Sequence, residues 1–202
     1  YIEWKSSDPG VAEVTSDGLI RAEEIGKAII TATYENETAI CEVTVEPNVY
    51  LAGFQESGTT RTATYWKNGQ TVSLADPSGS KGTQAWSIFV DRNDVYVAGM
   101  VNTTHGARGI YWKNGAAIPL SDGALASVAN SVCVDKGDVY VAGQEGNEAK
   151  YWKNGVPTVL DGEEANAIIV ADGNVYVAGT KYPQGVYLSL IHISEPTRLL
   201  SI

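Results

Sequence analysis

The sequence predicts an all-β protein in which a partial β-sandwich is followed by an incomplete β-propeller of four-stranded antiparallel blades. Two phrases, Val-Tyr-Val-Ala-Gly and Tyr-Trp-Lys-Asn-Gly, alternate from residue 49 almost to the C-terminus. No segment between them shows the periodicity of a helix. Repetition at a roughly constant spacing is typical of stacked or radially arranged supersecondary units.

The repeated region is predicted to span residues 49–187. The first phrase begins at residues 49, 95, 139 and 175, with Leu51 replacing one valine, and the second begins at residues 65, 111 and 151. Loop lengths between the phrases vary while the phrases barely change, as expected when loops absorb the differences between copies. The predicted units are 49–94, 95–138, 139–174 and a partial unit 175–187.

Each unit is predicted to contain two hairpins. The Asn-Gly pairs at 68–69, 114–115 and 154–155 lie between runs of aromatic and branched residues, which is a strong signal for a type I′ turn. A second turn, at 91–94 and again at 135–138 and 171–174, precedes each later copy of the first phrase. Four short antiparallel strands in a unit of this length match one blade of a propeller.

The N-terminal residues 1–46 differ from the rest and alternate short strands with turns. Their motifs are W-x-S-S-D-P-x-V-A-x-V from Trp4, D-G-x-I-x-A from Asp17, G-x-A-x-I-T-A-T from Gly26 and C-x-V-T-V from Cys41. This order resembles the bacterial group 2 immunoglobulin-like domain, often called Big2, over about its C-terminal two thirds. The resemblance implies a truncated Ig-like sandwich that acts as a spacer or an adhesive unit.

The repeats are similar in layout to extracellular propeller-like repeats of bacteria, including the HAF type. The two resemblances together imply an extracellular or cell-surface protein of bacteria, with the propeller presenting a binding face. The C-terminal string Leu188–Arg198 resembles the translation of a transposase sequencing adapter, and we expect residues 188–202 to be a non-native tail.

The charge of the sequence argues against one class of partner, the nucleic acids. The net charge is −10, and the basic residues do not cluster. Because phosphate backbones are bound by basic patches, a nucleic-acid partner is not expected. The sequence also contains no membrane-spanning apolar run.

Neither a catalytic centre, a metal site nor a cofactor is expected. His105 is the one histidine before the tail, and a solvated loop position is favoured over membership of a catalytic triad. Cys133 is interpreted as a small apolar filler on a strand, in preference to a disulfide partner or a reactive thiol. Asp91 and Asp94 recur in equivalent turns, where a hairpin role is favoured and calcium binding is the alternative.

The aromatic residues suggest where a ligand could bind. A tryptophan that is the same in every unit, as at Trp66, Trp112 and Trp152, is expected to fill inter-blade space, although a ring of aromatics that stacks sugars or peptides is the alternative. Binding sites draw on residues that differ between units. Trp86 stands where the other units have Asn130 and Asn166, and these three are the candidate ligand-binding residues.

The leading hypothesis is a non-catalytic surface or secreted protein that binds a polysaccharide or another protein through propeller loops. The main alternative is a fragment of a propeller-type carbohydrate-active enzyme, a lyase or glycosidase, whose catalytic residues lie in missing blades. A purely structural spacer is a third possibility.

Overall fold

The structure is a computed structural model that describes residues 1–77 and 80–181 in full and the backbone of residues 185–192. Every regular element in these residues is a β-strand, which confirms the predicted all-β class. The chain divides into two compact units, Tyr1–Asn48 and Val49–Ile202. We describe each unit separately.

The first unit contains five strands in two sheets. One sheet has the order β1-β4-β5, and the other is the hairpin of β2 and β3. Ala12, Ala28 and Ile30 form the buried centre, and Trp4 and Val43 pack against it. The strands are β1 (Glu3–Ser6), β2 (Ala12–Val14), β3 (Ile20–Ala22), β4 (Gly26–Tyr34) and β5 (Glu37–Val45).

The second unit contains four antiparallel sheets, each built from consecutive strands. Sheet A comprises β6 (Tyr50–Ser57), β7 (Thr60–Lys67) and β8 (Gln70–Ser73), and sheet B comprises β9 (Thr83–Asp91), β10 (Asp94–Thr103), β11 (Gly106–Lys113) and β12 (Ala116–Pro119). Sheet C comprises β13 (Ser127–Asp135), β14 (Asp138–Glu145), β15 (Glu148–Lys153) and β16 (Val156–Val159). Sheet D comprises β17 (Glu164–Ala171), β18 (Asn174–Lys181) and β19 (Gly185–His192).

Sheets B and C have the four strands that the sequence predicts, whereas sheets A and D have three in the described residues. Each of sheets B, C and D begins one strand before its Val-Tyr-Val-Ala-Gly phrase, so a unit counted from that phrase contains parts of two sheets. The predicted tail begins inside β19, whose backbone pairs with β18 up to His192. Residues 193–202 lie outside the described residues, and the non-native origin of the tail stays a prediction.

The predicted hairpin turns are confirmed by their backbone angles. Asn68, Asn114 and Asn154 have φ near +50°, and the glycines that follow them have φ between +79° and +85°. Positive φ at both central positions is what a type I′ turn requires. These turns set the register of the sheets, in which Val97 lies opposite Trp112 and Val141 opposite Trp152.

A β-bulge interrupts the first strand of sheets B, C and D at the same place. In sheet B, Ala98 pairs with Ser87 and Gly99 pairs with Ala85, so Trp86 is the extra residue. The same shift occurs at Asn130 in sheet C and at Asn166 in sheet D. A Cβ on Gly99 would lie 1.9 Å from the carbonyl oxygen of Gln84, which explains the glycine that ends the phrase.

The sheets of the second unit pack face to face in chain order, so that one face of a sheet contacts the preceding sheet and the other face contacts the following sheet. Val95 and Val97 of sheet B join the cluster that contains Ala63 of sheet A and Leu74, which follows β8. Tyr96 and Ala98, on the other face, join a cluster with Val139 and Val141 of sheet C, and the pattern repeats between sheets C and D. Because side chains alternate along a strand, the phrase supplies one apolar face to each neighbour.

One face of sheet A has no neighbouring sheet among the described residues of the second unit. Val49 and Leu51 are 65% and 62% exposed, whereas Val95 and Val97 in the same places of sheet B are 8% and 0% exposed. Trp66 is half-buried for the same reason. The burial of the repeated residues therefore depends on the adjacent sheet.

Candidate ligand-binding site

The three predicted ligand-binding residues all occupy the bulges of the first strands. Trp86 lies in β9, Asn130 in β13 and Asn166 in β17, each as the residue without a partner in the ladder. Trp86 is 41% exposed, Asn166 is exposed and Asn130 is half-buried. Bulges change the direction of a side chain and are frequent beside functional sites.

The neighbours of the bulge explain why this residue can vary while the residue before it does not. Ala85, Ala129 and Ala165 precede the three bulge residues and are buried at the close approach to the glycine of the second strand. A larger side chain there would have to displace backbone, whereas the bulge residue has no pairing partner. The variation seen in the sequence therefore falls on a position that the sheet does not constrain.

Hydrogen bonds between sheets link the first strand of sheet B to that of sheet C, and the first strand of sheet C to that of sheet D. Ser87 Oγ accepts a hydrogen bond from Val132 N at 3.2 Å, and Ser131 Oγ accepts one from Ile168 N at 3.3 Å. Asn130 Nδ2 also donates to the carbonyl oxygen of Ala165 at 3.0 Å. The candidate residues thus lie on adjacent strands, and Asn130 additionally joins sheets C and D.

The repeated tryptophans are core residues, as the sequence predicts. Trp112 and Trp152 are 0% and 1% exposed and pack between sheets. Trp112 Nε1 donates to the carbonyl oxygen of Ala75 at 2.8 Å. Trp152 Nε1 is buried and has no hydrogen-bond partner in the described part of the chain. Stacking of sugars on these rings is excluded by their burial.

A polar cleft lies at the end of the sheets where β9 begins. Its volume is about 440 Å³, and Arg61, Gln84 and Lys81 are among the residues that line it. Arg61 donates from Nε to Glu56 Oε1 at 2.7 Å and from Nη1 to Gln84 Oε1 at 3.2 Å. Gln84 precedes Trp86 by two residues, so the cleft and the exposed indole lie at the same end of β9.

A smaller cavity of about 180 Å³ lies at the turn between β10 and β11. His105, Arg108 and Asp122 line it, together with Thr103. Arg108 donates from Nη2 to the carbonyl oxygen of Asp122, while His105 Nδ1 lies 3.1 Å from Thr104 Oγ1. A hydroxyl beside the imidazole does not form a catalytic triad. Sequence reasoning missed Arg108 and Asp122, although both belong to stretches that differ between units.

The repeated aspartates close hairpins. Asp138 accepts hydrogen bonds from Lys153 Nζ and Asn154 Nδ2, each at 2.8 Å, and Asn154 Oδ1 accepts one from Val139 N at 2.9 Å. Corresponding contacts in sheet B involve Asp94, Lys113, Asn114 and Val95. No group of three or more His, Cys, Asp or Glu side chains that could hold a metal ion occurs among the described residues. The hairpin role accounts for the repetition of Asp94 and Asp138.

These hydrogen bonds and ion pairs shift the pKa values of the aspartates and of Lys153. Hydrogen bonds from Lys153 and then Asn154 hold the pKa of the Asp138 carboxyl below its ordinary value. Asn114 and then Lys113 do the same for Asp94. The hydrogen bond to Asp138 is the main cause that raises the pKa of Lys153 to about 12.

Stability is expected to fall in acid because of these aspartates. A carboxyl whose pKa is lowered by folding stabilises the fold above its unfolded pKa of about 4, and the contribution is lost as the pH falls through the folded pKa. Asp138→Asn should therefore reduce the steepness of the loss of stability below about pH 4. Urea denaturation at several pH values measures this, with Asp172→Asn as a control. An unchanged pH dependence in Asp138→Asn would contradict it.

Cys133 behaves as an apolar filler, as predicted. It is buried in β13 and packs in the cluster that contains Tyr140 and Ile168. Burial raises the pKa of its thiol to about 11, so the reactive thiolate is disfavoured at neutral pH. Cys41 is exposed, and neither cysteine forms a disulfide.

Comparison with known proteins identifies the N-terminal part of the chain. Residues 1–45 match the family model of the bacterial Ig-like domain (group 2), which confirms the resemblance for that region. Domains of this family are non-catalytic and typical of bacterial surface proteins. No curated protein matches the chain. Within the described residues, no helix has the length and apolar character needed to cross a membrane.

Proposed function

We propose that this chain is part of a non-catalytic bacterial protein, at the cell surface or secreted, that binds a polysaccharide through the first strands of sheets B to D and the loops beside them. In this proposal the sheets are blades of a β-propeller and the Ig-like domain is a spacer. A protein ligand at the same strands is the alternative.

Two features support the propeller arrangement. The same pair of faces, valine against tyrosine and alanine, packs at each junction between sheets. The first strands of sheets B, C and D also lie in series, linked by the equivalent hydrogen bonds at Ser87 and Ser131. In a propeller the innermost strands of neighbouring blades lie side by side around a channel.

The observation that carries the binding proposal is the position of Trp86. It is the exposed aromatic residue at a bulge whose counterparts are asparagines, and it follows by two residues Gln84, which lines a cleft together with Arg61 and Lys81. An indole face stacks on the apolar face of a sugar ring, while amide, guanidinium and carboxylate groups bind hydroxyls. Asn130 and Asn166 provide further amides on the adjacent strands.

Replacing Trp86 with alanine is expected to weaken polysaccharide binding by at least about tenfold, because the stacking surface is lost. A panel of bacterial and plant polysaccharides, tested by affinity electrophoresis with the whole chain, would identify the ligand and measure the loss. Tyr34→Ala is the matched control, since Tyr34 is an exposed aromatic residue of the first unit.

Three outcomes would decide against the proposal. If the Trp86→Ala variant bound the polysaccharide as tightly as the unmodified chain, Trp86 would not be part of the binding site. Binding to no polysaccharide of a broad panel would favour a protein ligand. Release of new reducing ends or unsaturated products from a bound polysaccharide would favour the enzyme alternative.

A further inference from the structure

The outer edge of β6 lacks a strand that all the other sheets of the second unit have. In sheets B, C and D, the strand that carries Val-Tyr-Val-Ala-Gly pairs on one side with a preceding, bulged strand. β6 carries the same phrase but is the edge of sheet A, and no strand pairs with its outer side within the described residues. An unpaired edge is a template for another strand.

Gly53 indicates what kind of strand fits this edge. Gly99, Gly143 and Gly179 leave room for the carbonyl oxygen before the bulge, which would lie 1.9 to 2.0 Å from an added Cβ. Gly53 occupies the same place in β6, yet an added Cβ there would meet only the ring of Trp66, at 3.1 Å. Sheet A therefore retains the space for a bulged partner without using it.

The side chains beside Gly53 fit the same partner. In sheet B, Val97 and Val95 have Ile88 and Val90 as cross-strand neighbours. Leu51 and Val49 are their counterparts in sheet A and are largely exposed. A strand with branched apolar residues at the positions of Ile88 and Val90 would supply these neighbours and cover part of the exposed surface.

We propose that the outer edge of β6 binds an extended, bulged strand of the type seen in β9, β13 and β17, by antiparallel addition to sheet A. The partner carries a small residue opposite Gly53, one extra residue after it, and branched apolar residues at alternating positions beyond. Main-chain hydrogen bonds provide affinity, and the bulge provides selectivity. This inference does not depend on the polysaccharide proposal.

The test uses the whole chain and a synthetic peptide with the sequence of β13, residues 127–135, in which Cys133 is replaced by serine. The peptide is expected to bind, and hydrogen exchange should show increased protection of the amides of β6. A second peptide that lacks Asn130 has no bulge residue, so it forms a regular strand that does not place a carbonyl oxygen in the space over Gly53. It is expected to bind at least about tenfold more weakly.

Substitutions in β6 test the same contact between the peptide and sheet A. Gly53→Ala fills the space for the peptide carbonyl and is expected to weaken binding by at least about tenfold. Ser57→Ala, at an exposed position at the end of β6 and outside the stretch that the peptide covers, is the control. It should bind the peptide as the unmodified chain does.

Three kinds of result would contradict different parts of the proposal. Protection elsewhere than β6, or no binding, would overturn the proposal. Equal binding of the peptide that lacks Asn130, or by Gly53→Ala, would show that the edge does not select a bulged strand. Sedimentation that reveals dimers with β6 protected in the absence of peptide would assign the edge to a second copy instead.

Discussion

Replacing Gly143 with alanine is expected to lower the free energy of unfolding of the repeated region by about 3 kcal/mol or more. The added Cβ would lie 1.9 Å from the carbonyl oxygen of Val128 in the adjacent strand. Both positions are fixed by backbone, and Gly143 is buried in the middle of sheet C. The bulge at Asn130 would have to open, which would also disturb its hydrogen bond to Ala165.

Urea denaturation followed by circular dichroism measures this loss as a lower midpoint. The matched control is Gly53→Ala, the same change at the same place in sheet A, where the added Cβ lies 3.1 Å from the ring of Trp66 and meets no backbone atom. Its midpoint should change much less. If the two variants lost the same stability, the glycine of the phrase would have a role unrelated to the bulge.

Replacing Trp112 with alanine is expected to cost about 4 kcal/mol. Trp112 is fully buried between sheets A and B, where it packs with Val97 and Ile110, and its indole donates a hydrogen bond to Ala75. Its removal leaves a large cavity and also an acceptor without its partner. The same urea experiment measures the change.

Trp66→Ala is the control for this prediction. Trp66 occupies the same place in its phrase but is half-buried, because no sheet among the described residues of the second unit precedes sheet A. Its replacement should cost less than half as much as Trp112→Ala. A larger effect at Trp66 than at Trp112 would contradict the conclusion that burial of the repeated tryptophan comes from the adjacent sheet.

The strands and turns of the second unit could be predicted because their determinants are local. An Asn-Gly pair between branched and aromatic runs specifies its own backbone angles, and Asn114 and Asn154 adopt them. The buried position of Trp112 could also be predicted from strict repetition. The arrangement of the sheets relative to one another could not be predicted in this way, because it depends on contacts between residues far apart in the chain.

The candidate ligand-binding residues stay a prediction from sequence, and their structural setting could not be predicted. Trp86, Asn130 and Asn166 could be selected because Trp86 stands where the other units have asparagine, but their location in bulges is a property of pairing between strands. No short sequence signal marks a shift of register. Arg108 and Asp122 were missed because the turn that joins them in space is set by tertiary contacts.

The two apolar faces of each sheet allow the number of repeated units to change during evolution. Every junction uses the same valine face and the same tyrosine and alanine face, so a duplicated or deleted unit leaves junctions of the existing kind. Recombination within the gene could therefore alter copy number without any compensating substitution. Variation in length between strains is the evolutionary outcome that this design permits.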